Sequence, residues 1–226
     1  MIGIFDSGVG GLTALSELRR LHPMADVTYL ADSENAPYGT KSENKILECA
    51  ERCIKRLSDM GAERILIACC TASTLYSRMS HAAREVSIPI IAPAARVAAE
   101  ESRGRIAVIA TSATVRSRAF TREITALRKA KLLELEAQPL VAAVEAGARD
   151  GAPLSPECES ILDDILAQIR AFEADTLILG CTHFSHLSGH ILGRLPGVNL
   201  ISPSLEGARE IARLTANRGS GSTVFI

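Results

Sequence analysis

The sequence of 226 residues contains no tryptophan, and aromatic residues make up only 4% of it. Its 26 acidic and 25 basic residues nearly cancel, and it has no long basic run of the kind that marks a nucleic-acid binder. No apolar stretch approaches the roughly 18–20 residues that a membrane-spanning helix needs. We therefore expect no nucleic-acid partner, no membrane partner, and a core packed mainly by Ala, Ile, Leu and Val.

The N-terminal segment MIGIFD also lacks the basic start of a signal peptide, and it already contains a carboxylate at Asp6. Six cysteines in a chain without a secretion signal are typical of reduced thiols rather than of a disulfide framework. These two features predict a cytoplasmic protein.

Short apolar runs alternate with longer amphipathic stretches along the chain, as in a mostly parallel sheet covered by helices. The runs predict strands at residues 2–5, 27–30, 65–68, 88–93, 105–110, 131–135, 176–179, 199–201 and 223–226. The amphipathic stretches predict helices at residues 11–21, 42–60, 72–86, 114–127, 141–148, 156–172 and 205–216. The predicted class is α/β with two similar units, namely residues 1–92 with about 206–226, and residues 93–205.

Two strands far apart in the sequence end in the same way. Residues 64–71 (RILIACCT) and 175–183 (DTLILGCTH) each run from an apolar strand into a small residue followed by Cys and Thr. Ligands bind outside the carboxyl ends of strands in α/β sheets, so Cys69 and Cys181 are candidate functional thiols. A helix is predicted after each cysteine, and its dipole is expected to lower the thiol pKa. The alternative is two buried structural cysteines, but the repeated context favours a functional pair.

A glycine-rich turn, residues 6–11 (DSGVGG), follows the first predicted strand. Its glycines do not have the spacing of a dinucleotide-binding fingerprint. The turn is compatible with an anion site and equally with a merely tight connection. Asp6 is likewise compatible with a functional carboxylate or with an ordinary helix N-cap.

His183 follows Cys181 by two residues and is a candidate acid or base in the same pocket. His186 and His190 follow His183 at i+3 and i+7, which would place all three on one helix face. This raises the alternative of a zinc site with Cys181. That spacing matches none of the established zinc patterns, so the sequence predicts no metal.

Five segments of the sequence carry a family resemblance. They are residues 4–13 (IFDSGVGGLT), Asp32 with residues 37–42 (PYGTKS), Cys69 with Thr71, Thr111 with residues 114–117 (TVRS), and residues 179–183 (LGCTH). Together they follow the order of one family over nearly the whole chain. The chain thus resembles the glutamate racemases of the cofactor-independent aspartate/glutamate racemase superfamily.

The resemblance implies racemisation at Cα of an amino acid, most simply glutamate, without pyridoxal phosphate or metal. It also implies two pseudosymmetric α/β domains with an active-site cleft between them, and a role in supplying D-glutamate for peptidoglycan. Family members are often dimers, so a homodimer is an expectation from the resemblance alone. The only other expected partner is the small-molecule amino-acid substrate.

The resemblance further implies roles for particular residues. Cys69 and Cys181 would exchange protons with opposite faces of Cα, with Asp6 assisting Cys69 and His183 assisting Cys181. Glu145 matches a further assisting carboxylate, although its flanking residues match poorly. The residues implied to contact the substrate are Asp6, Ser7, Tyr38, Gly39, Cys70, Thr71, Thr114, Thr182 and His183.

The sequence departs from the family pattern at several positions. Cys70 stands where the family has an Asn that binds the substrate, and a thiol is a weak donor and acceptor. Ser185 and His186 replace a Pro-Leu pair, and residues 202–204 (SPS) replace an Asp-Ser pair. Three alternatives stay open: a racemase of aspartate, a hydantoin or another substrate; a decarboxylase of substituted malonates; and a non-catalytic, metal-binding protein on the same fold. Cys70 favours the first, the presence of both cysteines disfavours the second, and the histidines suggest the third.

Overall fold

The computed structural model describes all 226 residues, in nine strands and eleven α-helices joined by turns and short 3-10 helices. The strands are β1 (Ile2–Asp6), β2 (Val27–Ala31), β3 (Arg64–Ile67), β4 (Ser87–Pro89), β5 (Arg105–Ala110), β6 (Lys131–Glu136), β7 (Thr176–Gly180), β8 (Asn199–Ile201) and β9 (Thr223–Phe225). The helices are α1 (Leu12–Leu21), α2 (Glu43–Asp59), α3 (Cys70–Ser73), α4 (His81–Val86), α5 (Ile91–Glu101), α6 (Ser112–Ser117), α7 (Ala119–Leu127), α8 (Gln138–Glu145), α9 (Pro156–Ala171), α10 (Ser188–Arg194) and α11 (Pro203–Leu214). None of these helices is both long and apolar enough to cross a membrane.

The strands form two separate sheets, and every neighbouring pair in them is parallel. The first sheet has the order β4-β3-β1-β2-β9, and the second has the order β6-β5-β7-β8. The predicted α/β class with mostly parallel sheets is therefore confirmed. The division into two domains, residues 1–92 with about 206–226 and residues 93–205, stays a prediction.

The two sheets share one apolar core. Its 27 buried residues include Ile4 of β1 and Val108 of β5, together with residues of α1, α5, α7 and α11. A separate cluster packs on the other side of each sheet, against α2 in the first and against α9 in the second. Because interiors are close-packed, a core common to both sheets fixes the loops after their strands relative to one another.

Side-chain hydrogen bonds interrupt the helix that was predicted at residues 72–86. The structure has α3, a 3-10 helix at Tyr76–Arg78, and then α4. Ser73 donates to the carbonyl oxygen of Ile67, and the backbone N–H of Ala83 donates to Ser80 at the start of α4. Such local bonds compete with helical pairing, so the continuous helix was a wrong prediction.

Two more predictions need correction. The helix at residues 114–127 is split into α6 and α7 by Arg118, which has a left-handed φ of 56°. The strand predicted at residues 88–93 ends at Pro89, and α5, which was not predicted, begins at Ile91. Pro93 lies in the first turn of α5, where a missing N–H costs no hydrogen bond.

Candidate active site

Both candidate thiols line one narrow cavity between the carboxyl ends of the two sheets. Cys69 follows β3 and Cys181 follows β7, each at the start of a short helix. The cavity has about 30 Å³ of free space, which is room for about two water molecules. A ligand as large as an amino acid fits only if the walls move apart.

The Cys69 thiol is buried and donates a hydrogen bond to Ser7 Oγ, with a sulfur–oxygen distance of 3.4 Å. Burial, and then the nearby negative charge of Asp6, raise its pKa to about 11. The expected lowering by a helix dipole is therefore wrong for this structure. Helix α3 spans only Cys70–Ser73, and its dipole does not offset the loss of hydration.

The carboxylate of Asp6 holds the glycine-rich turn in place. Its Oδ2 accepts hydrogen bonds from the backbone N–H groups of Gly8 (3.2 Å) and Gly11 (3.0 Å), whereas Oδ1 is buried without a partner. Burial raises the pKa of this carboxyl to about 6. The helix N-cap reading is wrong, because α1 begins at Leu12 and Gly11 occupies its N-cap. Two N–H groups of the turn are already bonded to Asp6.

On the opposite side, Cys181 lies beside His183. The distance from Cys181 Sγ to His183 Nδ1 is 3.6 Å, and burial raises the thiol pKa well above its usual range. Burial also lowers the pKa of His183, although the charge of Glu145 opposes that effect. Burial thus favours the neutral imidazole, in which Nδ1 accepts a hydrogen bond from Cys181 when the ring proton is on Nε2.

Glu145 connects this pair to the surface. Its Oε1 lies 3.4 Å from His183 Nε2, and its side chain is 51% exposed. The geometry of this contact is not that of a hydrogen bond, so His183 Nε2 has no hydrogen-bond partner. Cys181, His183 and Glu145 thus form a line of three titratable groups from the cavity to solvent.

The other histidines do not complete a metal site. His183 and His186 lie in a 3-10 helix, Thr182–Leu187, whereas His190 lies in α10, so the three do not share one helix face. His190 Nε2 lies 3.2 Å from the carbonyl oxygen of Arg149. No group of three or more His, Cys, Asp or Glu side chains in the chain is arranged to hold a metal ion.

Most of the other residues implied for substrate binding line the cavity: Ser7, Tyr38, Gly39, Cys70, Thr71, Thr182 and His183. The Tyr38 hydroxyl already donates to Asp32 Oδ2 at 2.6 Å. Burial, followed by the proximity of Cys181 and Cys69, raises the pKa of the Cys70 thiol well above its usual range. Cys70 therefore presents a neutral thiol to the cavity.

Asp6 and Thr114 are not among the residues that line the cavity. The Thr114 hydroxyl is buried behind Thr71 and lies 3.3 Å from its hydroxyl and 2.9 Å from that of Thr111. The hydroxyls of Thr71 and Thr111, 3.0 Å apart, join α3, which follows β3, to the residue directly after β5. In this structure Thr114 supports the wall and does not form it.

Gln138 also lines the cavity, although no sequence motif pointed to it. It is the first residue of α8 and lies two residues after the end of β6. Strand β6 is parallel to β5 and next to it, so its carboxyl end reaches the same edge of the sheet. The signal available in the sequence was a polar residue shortly after the strand predicted at residues 131–135.

Comparison with known proteins identifies the relatives of this chain. The family model described as Asp/Glu/Hydantoin racemase matches residues 13–211. A glutamate racemase of Aquifex aeolicus is 37% identical over 226 residues, covering 98% of this chain and 85% of that protein. A crystal structure of glutamate racemase from Francisella tularensis in complex with D-glutamate superposes with a TM-score of 0.87 at 29% identity, covering 99% of this chain and 86% of that one. The aspartate racemase of Picrophilus torridus shares the fold at 18% identity, with a TM-score of 0.67 and 94% of both chains covered.

Proposed function

Because this chain belongs to the Asp/Glu/hydantoin racemase family, we propose that it is an isomerase that interconverts L- and D-glutamate. The observation that carries the proposal is the pair of thiols, Cys69 and Cys181, which reach one cavity from the carboxyl ends of two different sheets. Racemisation removes the proton at Cα from one face and returns a proton to the other. Two acid–base groups that enter one cavity from separate sheets suit that reaction.

In the proposed mechanism, each thiol has its own neighbouring base. Cys181 gives its proton to His183, 3.6 Å away, and Asp6, which lies close enough to affect the pKa of Cys69, is the group proposed to take the proton of Cys69. The thiolate formed on one side removes the Cα proton, while the protonated thiol on the other side donates to the planar carbanion. The roles exchange when the reaction runs in the opposite direction.

The substrate itself assists this step. Both thiols are neutral in the closed cavity, because burial disfavours their thiolates. The ammonium group of an amino acid lowers the pKa of a thiol to which it lies closer than the substrate carboxylates do. The hydroxyls of Ser7, Thr71 and Thr182 line the same cavity and supply donors for the negative charge that develops on the carbanion.

Glutamate is the proposed substrate because the relatives at 35–39% identity are glutamate racemases. D-glutamate made in this way would serve peptidoglycan synthesis, and we accordingly propose a cytoplasmic location. The homodimer suggested by the family resemblance is also a proposal, which sedimentation equilibrium tests.

Proton exchange at Cα tests the proposed activity directly. Purified protein is incubated in D₂O with L- and D-glutamate, and separately with L- and D-aspartate. The Cα–H signal is followed by NMR alongside optical rotation. We expect exchange with inversion for both glutamate enantiomers. Exchange with aspartate alone would mean that aspartate, and not glutamate, is the substrate. No exchange with either pair would contradict the proposed function.

A further inference from the structure

The carboxamide of Gln138 is a polar group in the cavity without a partner. Its Oε1 is buried and accepts no hydrogen bond from the protein. The side chain lines the same cavity as the two thiols. Buried polar groups are almost always hydrogen-bonded, and one that is not often marks a functional position.

The opposite wall leaves room for this carboxamide. A Cβ atom added to Gly39 would stand only 2.5 Å from Gln138 Oε1 and 3.1 Å from Cβ of Thr111. Because Gly39 belongs to the loop after β2, the first sheet's side of the cavity is shaped to accept a side chain from the second. The carboxamide therefore lies where the two sides meet.

The cavity contains few groups for holding an anion. No lysine or arginine lines it, and its one full negative charge is that of Glu145. A substrate with two carboxylates must then be bound by neutral donors: hydroxyls, backbone N–H groups and an amide. Gln138 supplies the only side-chain amide among the residues that line the cavity.

The position of Gln138 on its helix also favours a carboxylate there. Gln138 and Glu145 are the first and last residues of α8, about 10 Å apart along the axis at 1.5 Å per residue. A carboxylate at the Gln138 end is kept away from the negative charge of Glu145. It also lies near the helix N-terminus, where the macrodipole favours negative charge.

We propose that Gln138 binds the substrate by donating a hydrogen bond from its amide nitrogen to a carboxylate of the amino acid. A half-turn of the carboxamide exchanges its oxygen and nitrogen, so the buried position presents either atom. This role rests on the proposed racemase function and deepens it, since it concerns how a dicarboxylic substrate is held.

Two isosteric variants, Gln138→Met and Gln138→Glu, test this role in the full-length protein. Gln138→Met removes the donor, and we expect KM to rise at least tenfold for both enantiomers of glutamate, with kcat within a few-fold of wild type. Gln138→Glu adds a charge that repels the substrate carboxylate, so its KM should rise further. Gln168→Met is the matched control, because Gln168 is exposed on α9 and bonds only within its own helix.

Thermal unfolding without substrate separates binding from structure. Since Gln138 Oε1 has no partner to lose, Gln138→Met should unfold at the wild-type temperature or above it. An unchanged KM in Gln138→Met, or a loss confined to kcat, would overturn the role of Gln138. Turnover of glutamate by the wild-type protein would still support the proposed function in that case. Absence of turnover in the wild-type protein would instead defeat the proposed function itself.

Discussion

Gly10 and His183 approach each other so closely that Gly10 has no room for a side chain. A Cβ atom at Gly10 would overlap Thr182 Oγ1, and it would stand 2.8 Å from His183 Nδ1 and 2.9 Å from Cε1. Nδ1 is the atom that faces the Cys181 thiol. The turn after β1 of the first sheet thus helps to set the position of a histidine that follows β7 of the second.

Gly10→Ala is expected to displace the Thr182 hydroxyl, which the added Cβ would meet first, and the His183 ring beside Cys181. The added methyl group should lower kcat by at least tenfold, and overpacking should cost about 1–3 kcal/mol of stability. Steady-state kinetics and urea unfolding measure the two effects. Gly193→Ala is the matched control, since its Cβ would meet nothing within 4 Å and α10 should gain slightly from alanine. Wild-type kinetics in Gly10→Ala would show that the contact has no role.

Asp6→Asn should change how stability depends on pH. The Asp6 pKa is raised to about 6 in the folded protein from an ordinary value of 3.8, so the folded state binds the proton more tightly than the unfolded chain. The resulting penalty is fully present above pH 6 and disappears as pH falls through 6 towards 3.8. The free energy of unfolding of Asp6→Asn relative to wild type should therefore rise by about 2 kcal/mol between pH 4 and pH 7. Urea unfolding at both pH values measures it, and an equal difference at each would contradict the assignment.

Glu145→Gln should lower the pKa of His183 further. The Glu145 carboxylate, 3.4 Å from Nε2, favours the imidazolium and opposes the effect of burial. Without that charge, the imidazolium loses its nearest counter-ion. NMR titration of the His183 ring measures the shift. Glu159→Gln, which removes a carboxylate that pairs with Arg194 instead, should leave the titration unchanged. If the pKa of His183 rose or stayed the same in Glu145→Gln, the electrostatic contact between the two side chains would be excluded.

Replacing either of the two cavity thiols should abolish the proposed racemisation. Cys69→Ser and Cys181→Ser each leave a hydroxyl far less acidic than a thiol, so one of the two proton transfers fails. Cys158→Ser is the control, because Cys158 is buried in α9 outside the cavity. It should retain turnover with a modest loss of stability. Turnover at the wild-type rate in either of the first two variants would rule out the two-thiol mechanism.

The sequence predicted the parts of the structure that depend on local patterns. The short apolar runs located β3 and β7. The position directly after each of these strands identified the two cysteines that share a cavity. It could not predict that Thr71, Thr111 and Thr114 would lie in one hydroxyl cluster, since that depends on how the sheets pack. The thiol pKa direction was wrong because desolvation is a property of the assembled cavity. Gln138 was missed because α8 was predicted to begin three residues too late, at residue 141.

The central claim is that two thiols act on opposite faces of Cα, and the isotope content of recovered substrate tests it most directly. L-glutamate is incubated with the enzyme in D₂O and stopped at low conversion, and the same is done from D-glutamate. With two bases, the product carries deuterium at Cα while the recovered substrate keeps its original hydrogen, in both directions. Deuterium appearing in the recovered substrate as fast as in the product would mean that a single base serves both faces, and would contradict the roles given to Cys69 and Cys181.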